Sequence, residues 1–236
     1  MIRGTRSRLR RVTGSLRDST YAELRSRIVN LTYQPGERLI ERDLAAELEV
    51  SRIPLREAMQ LLQNDGLVVL VPRQGAIVAP FTADDVRDLF DVRESLEVLA
   101  VRLAAERASK DGLARLREQM DLARAAIARR DDPEIAAANS AFHRVLVEVA
   151  ANPLLSVMMG PLAARVQWLF HLTKQRDLVV QCEEHQEIYE AVEAGDADLA
   201  ARHMFSHVTS GREESIALAE GWSVIDPVAA TRTRRR

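Results

Sequence analysis

The chain has 236 residues, of which 47% are hydrophobic, 29% charged and 4% aromatic, and its formal net charge is -2. That length suits one large or two modest domains. The longest uncharged stretch, residues 149–164, is interrupted by Asn152, Pro153, Ser156, Gly160 and Pro161 and falls short of the roughly 20 apolar residues a membrane helix needs, which excludes a helical membrane span. The N-terminal segment lacks the apolar run of a secretory signal and the single cysteine, Cys182, has no intrachain disulfide partner, so a cytoplasmic location is expected.

The small net charge conceals a division. Residues 1–80 hold 13 Lys and Arg against 9 Asp and Glu, residues 81–230 hold 16 against 26, and residues 231–236 hold four arginines. A basic N-terminal part suited to a polyanion is thus joined to an acidic part with another task.

In chain order, residues 1–17 contain six arginines, no acid and no apolar periodicity, and read as a disordered basic arm, either a phosphate contact or a frayed tail. From Ser19 the spacing of Tyr21, Leu24, Ile28 and Leu31 predicts a helix. Gln34-Pro35-Gly36-Glu37 supplies a turn, and a second short helix is expected with Leu39, Ile40, Leu44 and Leu48 as its apolar face. Ser51 is placed to cap a third helix, with Pro54 in its first turn and Leu55, Met59 and Leu62 on one side. Residues 67–71 and 76–80 are β-prone and flank Pro72-Arg73-Gln74-Gly75, which reads as a hairpin. Three short helices followed by a hairpin is the order of a winged helix-turn-helix, spanning residues 18–80.

From Thr82-Ala83-Asp84-Asp85, which resembles a capping box, alanine-rich helical periodicity continues to about Ala219. Breaks expected at Asp111-Gly112, Asp131-Asp132-Pro133, Asn152-Pro153, Gly160-Pro161 and Gly195-Asp196 divide it into six or seven helices. The fold class is therefore mainly α: a winged helix-turn-helix, then an all-α bundle over residues 81–222, then a basic tail over residues 223–236.

A helix that reads DNA places its first turn in the major groove, where side chains reach base edges and nearby donors hold phosphates. Val50-Ser51-Arg52-Ile53-Pro54-Leu55-Arg56 suits that task. Arg52 and Arg56 lie four residues apart on one face, arginine binds guanine O6 and N7 with two hydrogen bonds, and Ser51 can contact a phosphate while capping. For the arginine pair alone, a solvated amphipathic helix is the competing reading.

The segments Gln34-Pro35-Gly36-Glu37-Arg38-Leu39, Glu41-Arg42-Asp43-Leu44-Ala45, Val50-Ser51-Arg52, Pro54-Leu55-Arg56-Glu57-Ala58, Asp65-Gly66-Leu67 and Arg73-Gln74-Gly75 closely resemble the N-terminal domain of GntR-family transcriptional regulators. The resemblance implies that Arg42, Arg52 and Arg56 contact operator DNA, with Ser51 and Pro54 at the start of the reading helix. It also puts Gly75 at the wing tip, where a small residue lets backbone approach the minor groove. Ile53 departs from the small polar residue commonest at its position; an isoleucine there suits a thymine methyl.

All five histidines lie in the second part: His143, His171, His185, His203 and His207. Asn139 with His143, and His203 with His207, are spaced i, i+4, which puts each pair on one helix face, as chelation from a single helix requires. The series Asn139-Ser-Ala-Phe142-His143, Glu184-His185-Gln-Glu-Ile188 and His203-Met204-Phe205-Ser206-His207 resembles the C-terminal ligand-binding (FCD) domain of the FadR subfamily. That resemblance implies a divalent metal held by Asn139, His143, His185 and His207, with His203 outside the set and room left for a small carboxylate effector. Asparagine stands where aspartate is the more familiar residue, so its neutral oxygen donates less strongly. Three imidazoles and an amide suit Zn²⁺, Ni²⁺ or Mn²⁺. Arg93, in Arg93-Glu94-Ser95-Leu96-Glu97, matches the subfamily's anchor for the effector carboxylate; a salt bridge to Glu97 at i+4 is the alternative. Trp168, Phe170 and His171 are given no role, and Cys182 reads as a small packed residue.

The expected function is a homodimeric transcriptional regulator, a repressor, whose affinity for a near-palindromic operator depends on an organic acid bound at the metal site. The dimer follows because one winged helix contacts too few base pairs for useful specificity. Two alternatives stand beside it. One is a metal-dependent hydrolase, which three histidines with open coordination also describe, although the chain has no H-E-x-x-H unit. The other is an effector pocket in which the histidines are only hydrogen-bonded.

Overall fold

The structure is a computed structural model that describes residues 15–222 apart from residues 73 and 174–176 and the side chain of residue 132. The basic arm through residue 14, Arg73 at the wing and the basic tail lie outside the described residues. The described chain divides into two compact units between Phe81 and Thr82.

The first unit opens with helix α1 (Leu16–Val29), three residues before the periodicity suggested. Ser15 and Asp18 form a reciprocal capping box that satisfies the first backbone donors, so Leu16 and Arg17 belong to the helix rather than to the arm. Helices α2 (Glu41–Glu47) and α3 (Arg52–Asn64) follow, and the hairpin is β2 (Val68–Val71) with β3 (Gly75–Val78). Helix α1 packs on α3, and Leu24 and Ile28 of α1, Leu55, Ala58 and Leu62 of α3, and Leu67 and Val78 are all excluded from solvent. Tyr21 reaches Asp65 at the end of α3 with a 2.5 Å hydrogen bond, and its hydroxyl pKa is pushed up to about 12 by burial and by that carboxylate.

Leu39 and Ile40 are not helical, contrary to the expectation. Arg38–Leu39 form strand β1, which pairs antiparallel with β3 in the order β1-β3-β2, setting Arg38 opposite Ile77 and Leu39 opposite Ala76. Ile40 becomes the N-cap residue of α2 and is partly exposed. The pairing satisfies the backbone of β3 on its second edge, a gain that local helical periodicity cannot register.

The second unit contains, among the described residues, α4 (Ala83–Arg107), α5 (Lys110–Arg129), α6 (Asp132–Val149), α7 (Pro153–Thr173), α8 (Leu178–Glu193), α9 (Ala197–Thr209) and α10 (Arg212–Glu220). Thr82 and Asp85 form the anticipated capping box at the start of α4. Helix α4 packs against α6, α7, α8, α9 and α10; buried Ala100, Ala104 and Ala105 on α4 and Ala200 and Ala201 on α9 let these helices approach closely. Phe90, Phe142, Trp168, Leu169, Ile188 and Met204 fill the core.

Two expected breaks fall elsewhere. Asp111 and Gly112 lie in the first turn of α5, whose N-cap is Ser109, its hydroxyl accepting from the Gly112 N–H. Gly160-Pro161 does not interrupt α7. Proline costs a helix the bond to the carbonyl four residues earlier, here that of Val157, on a solvent-facing turn where water can replace the missing N–H.

Gly75 has a reason within the protein: its φ is +95°, and a Cβ added there would lie 2.2 Å from the Leu39 carbonyl oxygen, where β1 runs beside β3. Gly75→Ala is expected to destabilise the first unit by about 2 kcal/mol, from strain at positive φ and displacement of β1. Both tryptophans, Trp168 and Trp222, lie in the second unit, so the transition seen by circular dichroism should acquire an earlier component while that seen by tryptophan fluorescence stays in place.

Candidate nucleic-acid interface and histidine cluster

In the first unit the apolar residues of α3 face inward and the cations outward. Leu55, Ala58, Met59 and Leu62 are buried, whereas Ser51, Arg52, Ile53 and Arg56 are exposed and Pro54 is half-buried in the first turn. Ser51 stands at the N-cap with extended backbone, but its hydroxyl makes no capping hydrogen bond; the expected cap is positional only. An open groove of 840 Å³ collects Arg38, Arg42, Arg52, Arg56, Gln74 and Gly75 from the sheet, α2 and α3 on one surface.

Two of these cations have acidic neighbours: Arg56 Nε lies 2.9 Å from Glu41 Oε2, and Arg42 Nε 3.0 Å from Asp43 Oδ1. Both arginines are mostly exposed, and such ion pairs are worth about 0–1 kcal/mol, so exchange for a phosphate or a base edge costs little. No local signal in the sequence marks Arg38 for this surface. It donates to the Gln74 side-chain oxygen at 2.6 Å, tying β1 to the wing, and only the β1–β3 pairing puts it on this surface. Ile53 projects beside Arg52 with 72% of its surface exposed, an unusual placement for a large apolar side chain on an otherwise well-packed helix.

In the second unit three helices each bring one histidine to a common point: His143 from α6, His185 from α8 and His207 from α9. His143 Nε2 lies 3.1 Å from His185 Nε2 and 3.1 Å from His207 Nε2, and one ligand atom from each ring falls within 4.8 Å of the others. His185 and His207 are each 2% exposed and His143 is half-buried. Phe142, the residue before His143, stacks on the His185 ring with centroids 4.4 Å apart, holding its plane.

Two carboxylates stand behind these rings. Glu184 Oε2 lies 2.6 Å from His207 Nδ1, and Glu97 Oε2 lies 3.0 Å from His143 Nδ1 without an aligned hydrogen bond. The other Glu97 oxygen accepts from Arg93 Nε at 2.7 Å. Burial opposes the charged form of Glu97, but the Arg93 guanidinium and the His143 ring beside it prevail and hold its carboxyl well below the usual carboxylate range.

Arg93 is 1% exposed and sits over the Phe90 and Phe170 rings at 5.3 and 5.4 Å. The ion pair weighed as its alternative role is present, yet Nη1 is buried without a hydrogen-bond partner. A buried N–H of a cation left unpaired is costly, and an anion is its natural complement.

Asn139 is buried one turn before His143, where its Nδ2 donates to Gln181 Oε1 at 3.2 Å and its Oδ1 accepts from the Cys182 thiol at 3.2 Å. Cys182, whose thiol is pushed up by burial, is thus a neighbour of the cluster through Asn139. His203 pairs with Glu187 at 3.0 Å and is not one of the three grouped histidines. The sequence gives no role to Gln181, Glu184 or Phe170 and marks Glu97 only as a partner for Arg93. Only the i, i+4 spacing of Arg93 and Glu97 signalled any of them; the others meet their partners across helices.

Residues 16–78 match the family model described as bacterial regulatory proteins, gntR family, and residues 88–210 match the FCD domain. The chain is 33% identical over 190 residues to the HTH-type transcriptional regulator YdhC of Bacillus subtilis, covering 79% of this chain and 85% of that protein. It is 27% identical over 201 residues to the HTH-type transcriptional repressor RspR of Escherichia coli, covering 83% and 87%. A solved structure from Rhodococcus sp. RHA1, described as a transcriptional regulator GntR, superposes with a TM-score of 0.72 at 26% identity over 89% of this chain and all of that one.

The buried ion pair yields a stability test. Arg93→Met leaves Glu97 without its principal counter-charge and is expected to destabilise the second unit by about 3–5 kcal/mol, whereas Arg93→Met/Glu97→Leu recovers most of that loss. Thermal unfolding followed by tryptophan fluorescence checks both.

Proposed function

The chain belongs to the GntR family of bacterial regulatory proteins, carries an FCD domain and is a DNA-binding transcriptional regulator, and from that premise we propose a homodimeric repressor whose hold on a near-palindromic operator is set by a small organic acid bound at a divalent metal. The family and its relatives are transcriptional regulators rather than enzymes, which removes the hydrolase alternative.

The observation that carries the metal reading is the meeting of three imidazoles from three separate helices, with ligand atoms within 4.8 Å, in a largely buried setting. The donor set fits a borderline cation such as Zn²⁺ or Ni²⁺, with Mn²⁺ a less natural match to three nitrogens. Asn139 joins as fourth ligand if its oxygen gives up the Cys182 thiol. When bound, such an ion offers open positions to carboxylate oxygens and so makes the cluster a receptor for an acid. Arg93 supplies a second hold, its unpartnered Nη1 being ready for a carboxylate. The likeness to RspR, described as a repressor, supports that sign of control.

In the first unit the reading assigns Arg52 and Arg56 to base edges, Arg42 and Ser51 to phosphates, Pro54 to the helix start and Gly75 to the wing. Two copies are needed because one winged helix covers too few base pairs, and effector control requires an acid that binds two arrangements of the dimer unequally.

Arg52→Ala is expected to abolish specific retention of a duplex selected from a random pool, while circular dichroism and sedimentation stay as in the wild type. Wild-type binding in a gel-shift titration would refute the role given to Arg52.

For the metal, the full-length protein dialysed against Zn²⁺ and then buffer should retain about one ion per chain by elemental analysis. His143→Ala/His185→Ala should retain almost none. Equal zinc in the two proteins would favour the metal-free pocket.

A further inference from the structure

The chemistry of the cluster depends on which nitrogen of each ring carries a proton. A neutral imidazole has one N–H and one lone pair, and only the nitrogen with the lone pair can bind a cation. His207 is 2% exposed, so water does not choose its tautomer; its neighbours do. Its Nδ1 lies 2.6 Å from a Glu184 carboxylate oxygen, and an ionised carboxylate only accepts hydrogen bonds, so the proton belongs on Nδ1. His143 Nδ1 lies 3.0 Å from Glu97 Oε2 without hydrogen-bond alignment, so there the negative charge beside the ring, rather than a formed bond, favours the proton on Nδ1. Glu97 is itself fixed through its other oxygen by the buried Arg93.

We infer that Glu184 and Glu97 are positioning residues that put the ring protons of His207 and His143 on Nδ1, turning both Nε2 lone pairs toward the shared centre. In that arrangement the His143 and His207 Nε2 atoms, 3.1 Å apart, meet lone pair to lone pair. The repulsion is relieved by a cation between them, so the carboxylates preset the cluster for a positive ion and raise the basicity of its donors. Their purpose rests on the metal reading, but the tautomer they impose is measurable without metal.

The test is the long-range ¹H–¹⁵N spectrum of the full-length protein, labelled with ¹⁵N-histidine and stripped with a chelator, which separates Nδ1–H from Nε2–H rings. We expect His207 and His143 as Nδ1–H forms. Glu184→Leu, at a half-buried position that tolerates an apolar side chain, is expected to move His207 toward the Nε2–H form. It should also weaken Zn²⁺ about 10–100-fold in competition with a chromophoric chelator. Glu187→Leu, which removes the carboxylate paired with His203, should change neither reading and shows that loss of a nearby charge is insufficient. An Nε2–H form of His207 in the wild type, or a Glu184→Leu variant with wild-type tautomer and zinc affinity, overturns the proposal. Nδ1–H rings in a wild type that binds no zinc would uphold the tautomer assignment and overturn the metal reading, which keeps the two failures apart.

Discussion

The chemistry of the second unit depends on a charge that has been taken out of water. Glu97, on the helix that packs against five others, is 5% exposed and sits between the Arg93 guanidinium and the His143 ring. Removing a carboxylate from water costs several kcal/mol, and only close opposite charge with good hydrogen bonding compensates. One oxygen faces the arginine and the other the histidine. The carboxylate therefore joins the residue best suited to hold an anion to a residue suited to hold a cation. An acid bound at Arg93 and an ion bound at His143 would each redraw the field felt by the other, and such coupling is reciprocal.

The first unit is organised by the opposite rule: its grouped arginines are cheap to uncover. Arg42, Arg52 and Arg56 are exposed, the ion pairs of Arg42 and Arg56 are mostly solvated, and the helix beneath them is held by Leu55, Ala58, Met59 and Leu62. A rigid apolar face carrying loosely held cations suits a polyanion, because binding reorders few contacts within the protein. Glycine at position 75 serves the same frame by letting β1 lie beside β3 at a distance no side chain permits.

Much of this was legible in the sequence, for identifiable reasons. The capping pattern at Thr82–Asp85, the helical periodicity of α1 and α3 and the turn residues of the hairpin are local signals, and local propensity agrees with the final fold at each. The failures are equally specific. Leu39 read as helical because its strand partner is about 37 residues away in the chain, at Ala76. Gly160-Pro161 read as a break because the cost of proline falls when the broken bond faces water, which sequence does not display. Ser51 read as a hydrogen-bonding cap, and only its backbone takes that part.

Sequence alone determined the family, the division into a basic reader and an acidic helical unit, and the short list of side chains with chemistry to offer. These are properties of residue type and spacing along one helix or turn. The tertiary structure decided which of those side chains meet. Three histidines on α6, α8 and α9 converge while His203 turns to Glu187, Arg93 both pairs with Glu97 and keeps an unused donor, and Glu184 rather than a residue near His207 in the chain stands behind that ring. Such contacts depend on the relative rotation and depth of packed helices, set by the volumes of all the core residues together, and no short window of the chain contains that information.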